Sequence, residues 1–420
     1  MLFRSVTVQS RDQQDLDVLE ANPITGDTAP VFADHDDRWV ELVPGIPDVL
    51  GDGRLVMAGD RNGVRRLLID AAPVTPDDLQ VRSVVAVRGN TVTFHANTCD
   101  DATVQDVWEW SDQGLVRISD GHGIHTAVVG GATTVLRSAT LDRFGSSIAV
   151  VGGPQLRSML ERPLVEPNVT IHHYGERRLA TAVLLPRDHD GSRLPVLLDP
   201  YGGPHVQCVV ASRNRFVLSQ WFADQGFAVV VADGRGTPGR GSEWERAVHL
   251  DLATPVLDDQ VDALQAAADD YPLDLDHVGI RGWSFGGYLA ALAVMRRPDV
   301  FHAAIAGAPV TDWRLYDTHY TERYLGDPTI DDTAYANTSL LPLAASLRRP
   351  LLLIHGLADD NVVAAHTLQL SSALLAAGKP HEVLPLVGVT HMTPQEVVAE
   401  NLLLHQLDFL RRWLAPSTTG

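Results

Sequence analysis

The sequence predicts an α/β fold with a mostly parallel sheet, preceded by an all-β region. Three observations carry this reading. Up to about residue 160, short strands alternate with hairpin-turn chemistry. From about residue 163, apolar runs alternate with helical periods. Between one such run and one such helix lies a Gly-x-Ser-x-Gly turn, Gly282-Trp283-Ser284-Phe285-Gly286. The change of pattern divides the chain at 1–160 and 161–420.

The strands of the first part are read from β-branched and apolar runs: Ser5-Val6-Thr7-Val8, Trp39-Val40-Glu41-Leu42-Val43, Arg54-Leu55-Val56-Met57, Val84-Val85-Ala86-Val87, Thr91-Val92-Thr93-Phe94, Leu115-Val116-Arg117-Ile118 and Ser147-Ile148-Ala149-Val150. Asp52-Gly53, Arg88-Gly89-Asn90, Asp112-Gln113-Gly114 and Asp120-Gly121 supply the turns between them. Such spacing fits the antiparallel blades of a propeller, with Trp108-Glu109-Trp110 as the last strand of a blade. At roughly 40 residues per blade the region holds three or four. Asp34-His35-Asp36-Asp37, and His122 with His125, lack a complete metal-ligand set and read as solvated loops. In an extended segment, His172 and His173 point to opposite faces and cannot share an ion.

Composition bounds the partners. The chain has 420 residues, 45% hydrophobic, with a formal charge of −20, and Lys379 is its only lysine. An acidic chain without a basic run offers no electrostatic footprint for nucleic acid or an anionic membrane. No apolar run reaches the ~18 residues of a membrane span, and Met1 to Gln14 has no signal-like apolar stretch, so the expected location is cytoplasmic. Cys99 and Cys208 are too few for a disulfide framework and read as reduced structural thiols.

In the second part the apolar strands are Thr181 to Leu185, Pro195 to Leu198, Phe227 to Ala232, Val278 to Ile280, Ala303 to Ala306, Leu351 to His355 and His381 to Leu386. Helical periods fall at Arg215 to Asp224, Leu257 to Ala268, Leu289 to Met295, Ala365 to Ala377 and Pro394 to Leu414. In such an alternating fold the reacting groups sit on loops at the carboxyl ends of the strands. Small residues at Gly282 and Gly286 permit a tight strand-to-helix turn that exposes the hydroxyl of Ser284. The amide of Phe285 then opens the helix and can donate to an oxyanion. A serine nucleophile needs a base and an orienting carboxylate, which in the α/β-hydrolase order follow as acid and then histidine. Asp359 lies on the loop after the strand ending at Ile354, and His391 on the loop after the strand ending at Leu386. Ser284, Asp359 and His391 are therefore the candidate triad. His355, His366 and His405 fall within a strand end or helical periods and read as structural.

At this point several motifs occur together and in order: Asp199-Pro-Tyr-Gly-Gly-Pro204, Asp233-Gly-Arg-Gly236, Asp258-Asp-Gln260, the turn from Gly282 to Tyr288, Ala308-Pro-Val-Thr-Asp-Trp313, Tyr316-Asp-Thr-His-Tyr-Thr-Glu-Arg-Tyr324 and His355 to Val362. Together, residues 163 to 414 resemble the catalytic domain of the prolyl oligopeptidase family of serine peptidases, most of all its dipeptidyl peptidase IV branch. The resemblance implies an α/β-hydrolase domain behind a β-propeller, no cofactor and no metal, and short peptides as substrates. It also implies that Asp359 rather than Asp360 is the triad acid and that Tyr201 joins the Phe285 amide in the oxyanion hole. Asn361 is similar to the residue that binds the substrate carbonyl before the cleaved residue. Val310, Trp313, Tyr316, Tyr320 and Val362 are similar to the apolar pocket that receives proline. Aromatic walls suit a proline ring, which offers flat apolar faces and no N–H. If helical, Trp313, Tyr316 and Tyr320 share one face.

Two departures from the family pattern stand out. Met392 follows His391 where a small residue is usual, and about 160 residues precede the hydrolase part where the family carries a seven- or eight-bladed propeller. The Glu-Glu pair that anchors a free amino terminus in the dipeptide-releasing branch has no identifiable counterpart, which predicts that N-blocked substrates are accepted about as well as free ones. The expected activity is hydrolysis after proline or alanine through an acyl-enzyme. Acylaminoacyl-peptidase or esterase activity on the same triad is the alternative enzyme reading. An inactive truncated remnant acting as a binding protein is the alternative of another class. Exposed strand edges of a partial propeller would favour a homodimer.

Overall fold

Strand signals and hairpin turns of the first part close into four successive antiparallel sheets in a computed structural model that describes residues 4–414. The first sheet has three strands, Arg4–Gln9, Asp15–Ala21 and Thr28–His35. The second runs Asp48–Val49, Leu55–Arg61, Val64–Ile69 and Ala72–Pro73, and the third Leu79–Arg88, Thr91–Thr98, Asp106–Ser111 and Gly114–Arg117. Ile124–Gly130, Thr133–Ala139, Ser147–Val150 and Gln155–Leu156 form the fourth. Each is a meander in which neighbours in sequence are neighbours in space, as in propeller blades. Strands of the second and third sheets feed a core in which Val56, Leu67, Val81, Val92 and Phe94 are fully buried.

Four expectations differ from the structure. Trp39 to Val43 is not a strand. Trp39, Val40 and Val43 are buried, but the Val40 backbone is held by single bonds, its N–H to Gln13 O at 2.8 Å and its carbonyl to Gln9 Nε2 at 2.8 Å, instead of by a ladder. Trp108 to Trp110 is the third strand of its sheet and not the last, because the turn at Asp112-Gln113 sends the chain back as Gly114–Arg117 on the outside. His125 is not in a solvated loop. It lies in the strand Ile124–Gly130, 1% exposed, with Nδ1 bonded to Ser138 Oγ at 2.8 Å. Asp34 likewise lies in a strand, Thr28–His35, and pairs with Arg61 at 3.1 Å.

Contacts divide the chain into two units: residues up to Arg162 with Val210–Asn214 and Pro238–Arg246, and Pro163–Val209 with Arg215–Thr237 and the chain from Ala247 onward. The second unit holds an eight-stranded sheet. In spatial order its strands are Val169–Tyr174, Leu179–Leu184, Ala228–Asp233, Leu194–Leu198, Leu273–Trp283, Ala303–Gly307, Leu351–Gly356 and Glu382–Leu386. Pairings among the first three strands in this order are antiparallel, and all later ones are parallel. Four of these strands are buried at every residue, which is why they read as unbroken apolar runs. Glu382–Leu386, at the edge, alternates instead.

The helix Phe285–Arg296 is buried along its whole length except Arg296. A helix apolar on all sides belongs inside, and its small residues set how close it comes. A Cβ at Gly286 would meet Pro200 O at 2.7 Å, and one at Gly287 would collide with Gly307 O. Among the described residues no helix is long and apolar enough to cross a membrane.

Candidate active site

The strand Leu273–Trp283 ends directly at Ser284, and the helix begins at Phe285. Ser284 takes φ 59° and ψ −119°, a conformation that non-glycine residues adopt only where the surroundings impose it. They do so here: Ser284 N–H donates to Gly307 O at 2.9 Å, and Ser284 O accepts from Tyr288 N–H at 2.9 Å. A Cβ on Gly282 would overlap the backbone of Gly286, so the turn can close only with glycine at that position. As the first helical residue, Phe285 has an N–H without an intrahelical acceptor.

Tyr201 follows the strand Leu194–Leu198 on the loop Asp199-Pro-Tyr-Gly-Gly-Pro204. Asp199 pairs with Arg281 at 3.0 Å, which ties that loop to the strand carrying the serine turn. Farther along, the carboxylate of Asp233 accepts the N–H groups of Cys208 and Val209 at 2.9 and 2.7 Å. The ring of Tyr201 lies 5.9 Å from that of Phe285. Burial pushes the Tyr201 hydroxyl up to about 12, the nearby Tyr316 adds to this, and the Ser284 side chain opposes it. Tyr201 is therefore a neutral O–H donor at physiological pH.

Asp359 sits on the loop after Leu351–Gly356 with its side chain fully buried, whereas Asp360 is exposed. One carboxylate oxygen accepts the N–H groups of Asn361 and Val362, both at 2.9 Å, and the other accepts His391 Nδ1–H at 2.7 Å. The loop bearing His391 passes so close to Gly356 that a Cβ there would collide with the carbonyls of Val389 and Thr390. Trp283, the residue before the serine, donates its indole N–H to His391 O at 2.8 Å. Sequence reasoning missed this contact, which joins positions 108 apart and belongs to no motif period.

The other histidines have different hydrogen-bond partners, although His355 Nε2 lies 3.6 Å from Asp359 Oδ2. His355, 1% exposed, donates Nε2–H to Val362 O at 2.7 Å and takes Thr367 Oγ1–H on Nδ1 at 2.7 Å, and burial lowers its pKa. His366 is fully buried and accepts Thr311 N–H on Nδ1 at 3.1 Å; burial brings it down to about 4, with His355 contributing. His405 lies within the helix Glu396–Leu414.

The aromatic residues come together, though not on one helix as the spacing suggested. A 3-10 turn covers Trp313–Leu315, Tyr316 is extended, and a helix at Thr318–Leu325 starts afresh where Asp317 caps Tyr320 N–H at 2.8 Å. Trp313 and Tyr320 stack at 5.9 Å, and Tyr316 stands edge-on to both, at 5.9 and 5.4 Å. Behind Tyr320, His205 Nε2 and Tyr324 Oη are 2.8 Å apart. Tyr316 Oη donates to Asn361 Oδ1 at 3.3 Å, linking this wall to the acid loop. Val310 and Val362 are buried.

Comparison with known proteins bears on the same region. A family model described as the prolyl oligopeptidase family matches residues 215–417. Dipeptidyl peptidase 8 of Mus musculus is 42% identical over 240 residues, 54% of this chain and 27% of that protein. Dipeptidyl peptidase 4 of Bos taurus is 31% identical over 245 residues, 58% of this chain and 32% of that protein. The aligned stretches thus span less than a third of these curated relatives. The crystal structure of Porphyromonas gingivalis dipeptidyl peptidase 4 matches with a TM-score of 0.88 at 25% identity, covering 98% of this chain and 62% of that one.

Proposed function

We propose that this chain, whose residues 215–417 match a model of the prolyl oligopeptidase family, is a serine peptidase cleaving short peptides after proline or alanine, in the manner of a dipeptidyl peptidase. The observation that carries the proposal is the 2.7 Å bond from His391 Nδ1 to a fully buried Asp359, which leaves Nε2 of the same ring unprotonated as a base.

In this mechanism His391 takes the proton of Ser284 as the serine oxygen attacks the substrate carbonyl. The peptide C–N bond breaks as His391 returns that proton to the leaving amine, and water then repeats the sequence on the acyl-enzyme. The Tyr201 hydroxyl donates to the developing oxyanion together with the Phe285 N–H. A proline ring fits against Trp313, Tyr316 and Tyr320, with Val310 and Val362 as further wall residues, and Asn361 takes the preceding carbonyl. Short peptides are the partners, a homodimer the assembly and the cytoplasm the compartment that go with this reading.

The test is kcat/KM on Gly-Pro, Gly-Ala and Gly-Gly anilides and on a simple acyl ester, for the wild type and for Ser284→Ala. Preference for proline and alanine, lost with the hydroxyl, supports the proposal. Ester turnover alone would replace it with an esterase.

A further inference from the structure

We infer that Trp283 is a positioning residue for His391, setting the base relative to the nucleophile that directly follows Trp283 in the chain. The inference rests on the reading of His391 as the base given above.

The loop after Glu382–Leu386 packs on Gly356 at Val389 and Thr390 and is exposed on either side of them. Val387 is 84% exposed and Met392 66%, and Val389 is the buried side chain between them, at 4%. Its backbone meets the acid loop where Ala358 N–H donates to Val389 O at 3.0 Å, two residues before the histidine. At His391 itself two attachments are present: the imidazole to Asp359 at 2.7 Å and the carbonyl to the indole N–H of Trp283 at 2.8 Å. The first fixes the ring's tautomer and one end of its plane. It leaves the ring free to follow any drift of the backbone, because a single hydrogen bond does not fix a side chain's origin. The second fixes that origin.

Trp283 is a firm anchor for this purpose. It is the last residue of a central strand, with neighbours on both sides of the sheet, and pairs with Gly307. Its six-membered ring lies against Gly307 so closely that a Cβ there would overlap Cε3 and Cζ3. A ring wedged in this way cannot rotate toward Gly307, so its N–H keeps its aim. Gly307 also accepts the Ser284 N–H at 2.9 Å, so the same glycine seats the indole and the serine turn. Nucleophile and base are thereby registered through one residue, independently of the acid loop. Catalytic geometry is sensitive at this level, since a displacement of about 1 Å can cost on the order of 100-fold in rate.

The experiment replaces Trp283 site-specifically with 3-benzothienylalanine, which exchanges the indole N–H for sulfur and keeps the ring shape, with Trp283→Phe as a second variant. Turnover of Gly-Pro 4-nitroanilide is measured across pH, alone and combined with Asp359→Asn. The inference predicts that kcat falls about tenfold in the isosteric variant, KM stays within about twofold, and the acid limb of kcat/KM keeps its midpoint, because the imidazole's own bond to Asp359 is untouched. It also predicts that Trp283 and Asp359 substitutions combine to less than the product of their separate effects, since both act through the placement of one ring. Wild-type kcat in the isosteric variant, or losses that multiply independently, would overturn it. Ser284→Ala and His391→Ala are run beside these: turnover surviving in them would instead remove the serine-peptidase reading on which the inference stands.

Discussion

His391 Nδ1 and Asp359 Oδ2 are 2.7 Å apart, and the second oxygen of the same carboxylate is taken by two backbone N–H groups of its own loop. Asp359 is thus held from both ends. Asp359→Asn keeps the shape and the loop contacts but reverses the preferred tautomer at His391. We expect kcat to fall by about 10⁴ with the fold retained, as in other triads where only the tautomer changes. A loss below about tenfold, measured on Gly-Pro anilide, would show that another group orients the base.

Tyr201→Phe removes one oxyanion donor and should lower kcat by roughly 10²–10³ with little change in stability. The pH dependence has a definite sign. Because burial holds the hydroxyl near 12, well above its usual 10, the donor stays protonated as pH rises, and the wild type should show no alkaline loss from this group below about pH 10. The check is the kcat profile from pH 7 to 10 in the wild type and the variant.

His366 offers a stability measurement separate from catalysis. Its pKa of about 4 lies below the 6.5 of an unperturbed histidine, so below pH 6.5 the unfolded chain gains a proton that the folded chain refuses. The stability tied to neutral His366 is present above pH 6.5 and is lost as pH falls toward 4. Between pH 7.5 and 5 the loss is about 2 kcal/mol. In His366→Asn, which keeps an acceptor for Thr311 N–H, urea unfolding should be less sensitive to this pH step by that amount. Equal pH sensitivity would contradict the assignment.

Tyr320 is stacked on Trp313 and backed by Tyr324 and His205. Tyr320→Ala removes one wall of the pocket proposed for proline. The expected loss is about 2–3 kcal/mol in kcat/KM for Gly-Pro anilide, roughly 30- to 150-fold, from lost apolar burial and ring contact. Gly-Gly anilide, with no side chain to place there, should lose far less. Equal losses on both substrates would move the proline pocket elsewhere.

The sheet of the second unit was legible because strands buried on both faces are short unbroken apolar runs punctuated by glycine. Leu351 to His355 and Ala303 to Ala306 could be nothing longer. Ser284 was legible because its turn needs glycine on both sides, and glycines at fixed offsets are visible in a string. The first unit was harder. Trp39 to Val43 has the composition of a strand, yet its Val40 backbone bonds go to single partners, Gln13 O and Gln9 Nε2, that no local pattern encodes. His125 was misplaced because a polar residue facing inward is decided by its partner Ser138 across the ladder. The break between Trp313 and Tyr320 was hidden because three- and four-residue spacing looks the same whether one helix or two short pieces carry it. Trp283 could not be found at all, since its function depends on where His391 arrives from the far end of the sheet.

The central claim is that Ser284 is the nucleophile of a triad with His391 and Asp359. Its most direct test is labelling of the folded chain with a fluorophosphonate, followed by mass spectrometry of the adduct and residual Gly-Pro anilide turnover on the same samples. The account predicts one adduct per chain on Ser284, loss of turnover in proportion to labelling, and in Ser284→Ala neither adduct nor more than about a millionth of wild-type kcat. Turnover persisting in a fully labelled chain, or an adduct on a different serine that tracks the loss of activity, would contradict it.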